Sequence, residues 1–455
     1  MHPSVSTDLD VRTAFSADAS GLVMVPEGVA RPQSVGEVVE LVREAAASRT
    51  PITAAGGQTS TTGASITDAG LVLSLRALDR IIDVERTIGR AWVQAGVPLG
   101  EFKRKMAAEG LLFAPDPTSE EDVTIGGAIA CNASGARTLR YGATRAHVTA
   151  LRVVMANGEL IEVRRPGLEK NTAGYALAQD PVDWFVGSEG TLGVIVEAEL
   201  VLMPHPARVT GLAIPFAEER DALAFVVAAR ESEAVRPRCL EYFDALALDI
   251  SRTARGDAGW ARGAGGMVYT EETTGGEEPP LDEWLALAEQ HGALADDVIV
   301  FEGDSALRDA RRMRHAVPAH MNERGARHRA AGGRKLSTDW AVPYRQLAST
   351  IAEARRLVNE AGIPMPVIYG HAGSGHPHQN FIAEDAAERA RAESVIEATL
   401  RHVISLGGTV SAEHGIGKVK RRWLPLQANA QQLGVMRAVK RELDPDGILA
   451  PGNVI

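Results

Sequence analysis

Glycine comes in clusters along this chain, at Gly56-Gly57, Gly126-Gly127, Gly187 to Gly193, Gly373 to Gly375 and Gly407 to Gly417. Each cluster breaks an otherwise regular segment. Clustered glycine of this kind marks places where the backbone turns sharply or approaches something closely. The 45 glycines are not gathered into a low-complexity linker. A fold made from this chain must therefore be built around tight, closely approached loops.

The 455 residues are 45% apolar and 24% charged, which allows a large core and two or more domains. The net charge is −11 and no basic block stands out, which argues against nucleic acid as a partner. Cys131 and Cys239 are the only cysteines, so an internal disulfide framework and a cysteine-held iron–sulfur cluster are excluded. The first residues lack the basic-then-apolar order of a signal peptide. No run reaches the ~20 apolar residues of a membrane helix. A cytoplasmic setting is expected, with peripheral docking at the inner membrane face left open, as is a homodimer.

Residues 34–49 read as a helix, with Ser34 and Glu37 as a capping box and an apolar stripe behind them. Strands are expected at 71–75, 80–85 and 91–97. Pro98 suits the first position of a helix running to about Glu109. The stretch "ALRVVMANGELIEVRR" predicts a hairpin closed by a type I′ turn at Asn157-Gly158. After Pro206 the pattern shifts to Ala/Glu/Leu-rich helices alternating with strands. This predicts an α+β chain in three parts: 1–205, an α/β domain over 206–410, and a tail, 411–455, that packs back on the first part.

Several familiar motifs are missing. No G-x-G-x-x-G lies between a strand and a helix, and no complete P-loop, H-E-x-x-H or G-x-S-x-G occurs. Gly56-Gly57-Gln58-Thr59-Ser60 is of another kind. Two glycines followed by amide and hydroxyl side chains make a nest of backbone N–H groups that suits a pyrophosphate. Residues 115–144, "PDPTSEEDVTIGGAIACNASGARTLRYGAT", are small-sided and suit wrapping a flat, extended ligand. The segment "GSEGTLGVI" (187–195) repeats the theme. In "YGHAGSGHPHQN" (369–380) a loop feeding a strand puts His376, His378 and Asn380 on one face.

Together, "IGGAIACNASGARTLRYG", "GSEGTLGVI", "GHAGSGHPHQN", "SAEHGIG" and "DPDGILAPGNV" resemble the FAD-linked oxidases of the vanillyl-alcohol-oxidase/p-cresol-methylhydroxylase (PCMH) type. Within them the chain is similar to the D-lactate, D-2-hydroxyglutarate and glycolate dehydrogenase branch. The resemblance runs from about Pro26 to the C-terminus. It implies a PCMH-type FAD-binding domain of two α/β subdomains, an α/β substrate domain, and a C-terminal helical segment returning to the FAD domain. It implies FAD held without a covalent link, since no histidine or cysteine lies at the first loop. The family commonly carries an arginine where this chain has Ala55.

The same resemblance implies site residues. Gly56, Gly57, Gln58, Thr59 and Ser60 would hold the pyrophosphate. Pro117, Thr124, Gly126, Gly127, Asn132, Ser134, Gly135, Tyr141, Gly190, Ile195 and Asn453 would line the rest of the cofactor. Cys131 is expected to be a small buried side chain without a redox role. Arg314 would grip a substrate carboxylate through two parallel hydrogen bonds; the alternative is a solvated charge, since Arg308, Arg311 and Arg312 are close in sequence. Lys335 would be a second anion contact, and Asn380 a substrate contact.

The family pattern H-x-G-D-G-N-x-H-x-N becomes His371, Gly373, Ser374, Gly375, His376, His378 and Asn380 here. Ser374 and His376 replace the usual Asp and Asn. His376 is left open between substrate contact, proton carrier and extra ligand. His371, His378 and Glu413 match a divalent-metal set, for zinc, manganese or iron, against a metal-free polar cluster as the alternative. His414 is the candidate base for the hydroxyl proton of a 2-hydroxy acid. The electron acceptor stays open among quinone, electron-transfer flavoprotein, cytochrome and oxygen. Two other readings are weighed against the dehydrogenase: a non-catalytic flavoprotein subunit, and a non-redox enzyme like alkylglycerone-phosphate synthase.

Overall fold

The period-2 runs and glycine breaks become four sheets in a computed structural model that describes residues 4–455. The chain forms two compact units. The first comprises the residues up to Ser134, Gly142–His205 and Glu413–Ile455; the second comprises Gly135–Tyr141 and Pro206–Ala412. The seven residues 135–141, read from sequence as part of the cofactor segment, thus belong to the second unit.

In the first unit, strands Gly28–Ala30, Leu71–Ser74 and Ile52–Ala55 run parallel, with Val5–Ser6 antiparallel at the edge. Parallel neighbours need a crossover, and helix Val35–Ser48 supplies one. Leu41, Val42 and Ala45 of that helix are buried with Ile52 and Leu73. Only half of the expected capping box forms. Ser34 Oγ accepts from the Glu37 amide at 3.2 Å, while Glu37 Oε2 accepts from Gln33 instead. The end of the chain returns here: Ile52 N donates to Ile448 O, and Ala450 N to Ile52 O, each at 2.7 Å.

The second sheet is antiparallel, in the order Ile81–Glu85, Arg90–Gln94, Val194–Val201, Val148–Val154, Leu160–Arg164. Helix Leu99–Ala108 covers it through Phe102 and Met106. Pro98 is the residue before that helix, with extended backbone (ψ 131°), and not its first helical position. The hairpin turn also differs from expectation. A type I′ turn needs positive φ at two residues, and only Gly158 is left-handed, at 76°. Gly158 N donates to Met155 O and Met155 N to Glu159 O, each at 2.8 Å, so the loop is a longer turn with a left-handed glycine at its end.

The second unit is built on one seven-stranded sheet in the order Ile299–Glu302, Arg208–Phe216, Gly266–Thr274, Cys239–Asp244, Val367–His371, His376–Asp385, Gly332–Thr338. Every neighbouring pair in it is antiparallel. Side chains alternate between faces. One face takes Cys239, Phe243, Met267, Tyr269, Val367 and Tyr369 into a core with helices Ala245–Arg255 and Gly303–Arg327. The same alternation sends Glu241, His371, His376 and His378 to that face. A polar cluster is therefore set into the rim of an apolar layer.

Candidate active site

The geometry of the second unit follows from one hairpin. Val367–His371 and His376–Asp385 pair with Tyr369 opposite His378 and His371 opposite His376. Gly375 closes the connection in the left-handed region (φ 69°), where a Cβ would overlap the Val342 carbonyl. Cross-strand pairing and two-residue alternation then bring three imidazoles together. Ring centroids are 5.3 Å apart for His371–His376, 5.2 Å for His371–His378 and 4.8 Å for His376–His378. All three side chains are buried.

Two buried carboxylates stand behind them. Glu241 Oε1 is 2.5 Å from His371 Nδ1, and Asp339 Oδ1 is 3.0 Å from His378 Nδ1. A ring that donates through Nδ1 to a carboxylate keeps Nε2 as its lone-pair atom. Ligand atoms of Asp339, His376 and His378 lie within 4.8 Å of one another. Burial by itself would raise the Glu241 carboxyl; His371 and Arg314 overcome it and hold the group at about 2.

Arg314 lies in helix Gly303–Arg327 and is buried, with Nε donating to Glu241 Oε2 at 3.2 Å. It is not a solvated helix charge. Pro318, four residues on, removes the amide that would ordinarily bond the Arg314 carbonyl. The guanidinium also faces the Tyr369 ring, 5.5 Å from its centroid. Burial pushes the Tyr369 hydroxyl up to about 12, with Arg314 and Asn380 pulling the other way. Asn380 is buried on the histidine face, and its side-chain atoms find no hydrogen bond of ordinary geometry among the described residues. Lys335 pairs opposite Ile382 and donates to Asn322 Oδ1 at 2.8 Å. Burial lowers its pKa while Asp339 pulls it up.

Gly135 and Tyr141, expected at the cofactor, are in this unit. Gly135 N donates to Thr138 Oγ1 at 3.0 Å, and the Arg238 guanidinium sits 5.5 Å from the centroid of the Tyr141 ring. Close by, Glu271 accepts from Arg137 Nε at 3.1 Å, Arg238 Nη1 at 3.3 Å and the Tyr269 hydroxyl at 3.1 Å.

The first unit gathers the glycine loops at 56–57, 126–127, 187–193 and 415–417. Backbone N–H groups of residues 57–61 donate to nothing among the described residues. Gln58 is left-handed (φ 54°), and its side chain is tied to the carbonyls of Phe15 and Ala17, at 3.1 and 3.2 Å. Thr59 lies within the undonated run, and Ser60 Oγ accepts from the amides of Thr62 and Ala64. Gly56 and Gly57 are pressed onto the next loop: a Cβ would strike Thr124 Oγ1 at the first and the Asp122 carbonyl at the second. Undonated amides beside a left-handed residue form the cradle that a pyrophosphate needs, so this loop fits the phosphates of a dinucleotide.

The partner segments are equally fixed. Thr124 caps helix Ile125–Ala130, accepting from Gly127 N at 3.3 Å, and Gly126 packs on Ala95. Pro117 O accepts from Glu120 N in a turn. Asn132 is left-handed (φ 47°) and its Oδ1 accepts from Arg145 N. Ser134 Oγ donates to Glu413 Oε1 at 2.8 Å. Ile195 is buried in its strand, and Gly190 is left-handed at 75°. Cys131 is partly exposed and not the fully buried side chain expected; desolvation by its surroundings, then Glu189 and Asp18, push its thiol up to about 12, which suits an inert side chain.

Glu189 is the knot among these loops. Its carboxylate accepts from Ile416 N at 2.6 Å and Gly417 N at 2.7 Å. Burial raises it to about 7 against the pull of those amides and of Lys420 and Lys418. Asn453 joins the same set: Nδ2 donates to the carbonyls of Ala64 and Glu189, and Oδ1 accepts from Lys418. His414 is left-handed (φ 68°), and its carbonyl accepts from Thr62 Oγ1 at 3.1 Å. Non-glycine residues hold positive φ only where surroundings enforce it, and such strain clusters at functional loops.

Glu241 and Asp339 carry no motif of their own in the sequence, Glu189 stands there only as part of the 187–195 segment, and Lys418 only in an incomplete P-loop pattern. Glu241 had one usable sign: a lone acid inside "CLEYF", which is otherwise a buried strand pattern.

Comparison with known proteins agrees with these loops. Residues 26–164 match the family described as an FAD binding domain, and residues 205–454 match the C-terminal domain of FAD linked oxidases. The D-2-hydroxyglutarate dehydrogenase of Xanthomonas citri pv. viticola is 33% identical over 94% of this chain and 89% of its own. The D-lactate dehydrogenase of Archaeoglobus fulgidus is 32% identical over 94% and 91%. The glycolate oxidase subunit GlcD of Bacillus subtilis is 30% identical over 97% and 92%. Among solved structures, an alkyldihydroxyacetonephosphate synthase shares the fold with a TM-score of 0.75 at 18% identity, covering 99% of this chain and 83% of that one.

Proposed function

Because this chain belongs to the FAD-linked oxidases, we propose that it oxidises a D-2-hydroxy acid, of the D-lactate or D-2-hydroxyglutarate class, to the 2-oxo acid. It is an FAD-dependent oxidoreductase. FAD supplies the hydride acceptor, at N5. The undonated amides of residues 57–61 hold the pyrophosphate, and Asn453, Glu189 and Lys418 keep the surrounding loops in place.

His414 takes the hydroxyl proton of the substrate as the general base. Arg314 binds the carboxylate. Its guanidinium carries five donors, and the bond from Nε to Glu241 fixes its plane. Lys335 and Asn380 provide further polar contacts. His371 and His378 would be the imidazole ligands of a divalent ion, zinc, manganese or iron, with Glu413 as the carboxylate that the family pattern implies; such an ion would polarise the substrate hydroxyl. The observation that carries this reading is the buried imidazole group with carboxylates on Nδ1 and an arginine on the same carboxylate. Such a group sets a guanidinium that can grip a carboxylate beside imidazoles that can meet a hydroxyl, which are the two ends of a 2-hydroxy acid.

A second reading is supported by the Bacillus subtilis relative, which is named as a subunit. In it, the chain is the flavin-carrying part of a larger dehydrogenase and passes electrons to a partner chain. One experiment separates the readings. The purified protein is titrated anaerobically with D- and L-lactate, 2-hydroxyglutarate and glycolate while flavin absorbance is followed. Bleaching by a D-acid, slowed about 100-fold or more in His414→Ala, supports the oxidation and the base. Absence of bleaching by every acid, with FAD bound, would overturn the proposal. Bleaching without turnover on any small acceptor favours the subunit reading.

A further inference from the structure

We infer that His376 is a third imidazole ligand of the divalent ion, so that this chain holds its metal with a three-histidine set from a single hairpin. The inference rests on the proposed metal at His371 and His378 and goes beyond it. His376 stands where the family pattern carries an asparagine, whose amide is a poor metal ligand.

The spacing agrees with this role. A zinc-bound imidazole has its nitrogen about 2.0–2.1 Å from the ion, which puts the ring centre roughly 3.2 Å away; two such rings at the tetrahedral angle have centres about 5.2 Å apart. The observed separations are 5.3, 5.2 and 4.8 Å; the ligand atoms that already lie within 4.8 Å of one another in this unit are those of His376, His378 and Asp339, and the His371 ring must turn to bring its nitrogen to the same ion. His376 pairs directly with His371 across the hairpin and precedes His378 by two residues on the same face, so backbone register sets all three rings. The carboxylates of Glu241 and Asp339 on two of the Nδ1 atoms turn the Nε2 atoms into the donors, an arrangement that orients metal-binding histidines. A third neutral imidazole also shifts preference toward zinc or cobalt and away from manganese, which prefers oxygen.

The test uses the FAD-loaded protein stripped of metal by chelator and then given zinc or cobalt alone. Wild type is expected to bind one equivalent, with X-ray absorption counting three imidazoles around zinc. His376→Asn, the family residue, should weaken zinc binding by about 100-fold and lower the imidazole count from three to two. The cobalt visible spectrum should lose intensity in parallel. Retained flavin absorbance and unfolding midpoint show that the variant is folded, and His376→Gln serves if His376→Asn is not. Three rings in wild type and two in a variant establish the inference. Two rings in wild type, or the same affinity and spectrum in the variants, overturn it while leaving the histidine pair standing. Failure of wild type to bind zinc or cobalt removes both.

Discussion

Asp339 Oδ1 lies 3.0 Å from Nδ1 of His378, and both side chains are buried. The carboxylate fixes the tautomer of the ring and makes Nε2 the more basic atom. Loss of such a partner costs 10–100-fold in metal affinity where a histidine is a ligand. Asp339→Asn is therefore expected to weaken zinc binding by about 10-fold or more, read by equilibrium dialysis of the FAD-loaded protein. Glu241→Gln should do the same through His371 and should also free Arg314, so the substrate KM rises with it. Unchanged zinc affinity in both variants would mean that these carboxylates serve packing alone.

Glu189 joins two loops of the first unit that are more than 200 residues apart, through the amides of Ile416 and Gly417. Glutamine has one acceptor where glutamate has two, so Glu189→Gln leaves one buried amide unsatisfied. A loss of about 1–3 kcal/mol in unfolding free energy is expected, with faster release of FAD. Denaturant titration and flavin fluorescence during dilution measure the two effects. A stable variant that keeps its flavin would show that the knot is dispensable.

How much of this was legible in the sequence differs from element to element. The alternation of His376, His378 and Asn380 could be read directly, because a two-residue period fixes the face of a strand. The carboxylates behind them could not. Glu241 and Asp339 reach the histidines through a sheet whose order is not the order of the chain, 130 and 39 residues away. Arg314 was legible as a candidate only by resemblance, since its spacing equally fits a solvated helix. The glycines at 56 and 57 were legible as a close approach, but what they approach is residues 122–124, where an added Cβ would collide; the run of undonated amides that begins at Gly57 has no mark in composition. Residues 135–141 read as one small-sided run with 115–134, yet they change unit after Ser134. Composition is uniform across that point, so nothing local marks it.

Glu271 gives the protein an acid-sensitive limb. Burial would raise its pKa, but Arg137 and Arg238 bring it down from 4.5 to about 2. The unfolded chain therefore takes up the proton first as pH falls. The stabilising contribution is fully present above about 4.5 and is lost as pH drops toward about 2. The urea midpoint should fall across that window. Glu271→Gln should flatten part of the slope and cost about 3–5 kcal/mol at neutral pH, since it removes the negative charge that two buried arginines share. A midpoint independent of pH between 4.5 and 2 would contradict the ion-pair account.

Gly375 and Gly407 are both left-handed, at φ 69° and 77°, yet they should respond differently to alanine. At Gly407 nothing lies within 4 Å of the new Cβ, so the cost is the backbone conformation alone, about 1–2 kcal/mol. At Gly375 the Cβ would run into the Val342 carbonyl and sit 3.1 Å from Tyr344 N. Neither neighbour is a flexible side chain, so the hairpin end must shift, adding roughly 1–3 kcal/mol. His376 follows directly, so the shift should move its ring as well. Gly375→Ala is thus expected to be the less stable variant in urea and to lose intensity in the cobalt spectrum, while Gly407→Ala keeps that spectrum. Equal losses of stability, with cobalt spectra unchanged in both, would show that the turn tolerates the extra carbon and that the ring geometry does not depend on Gly375.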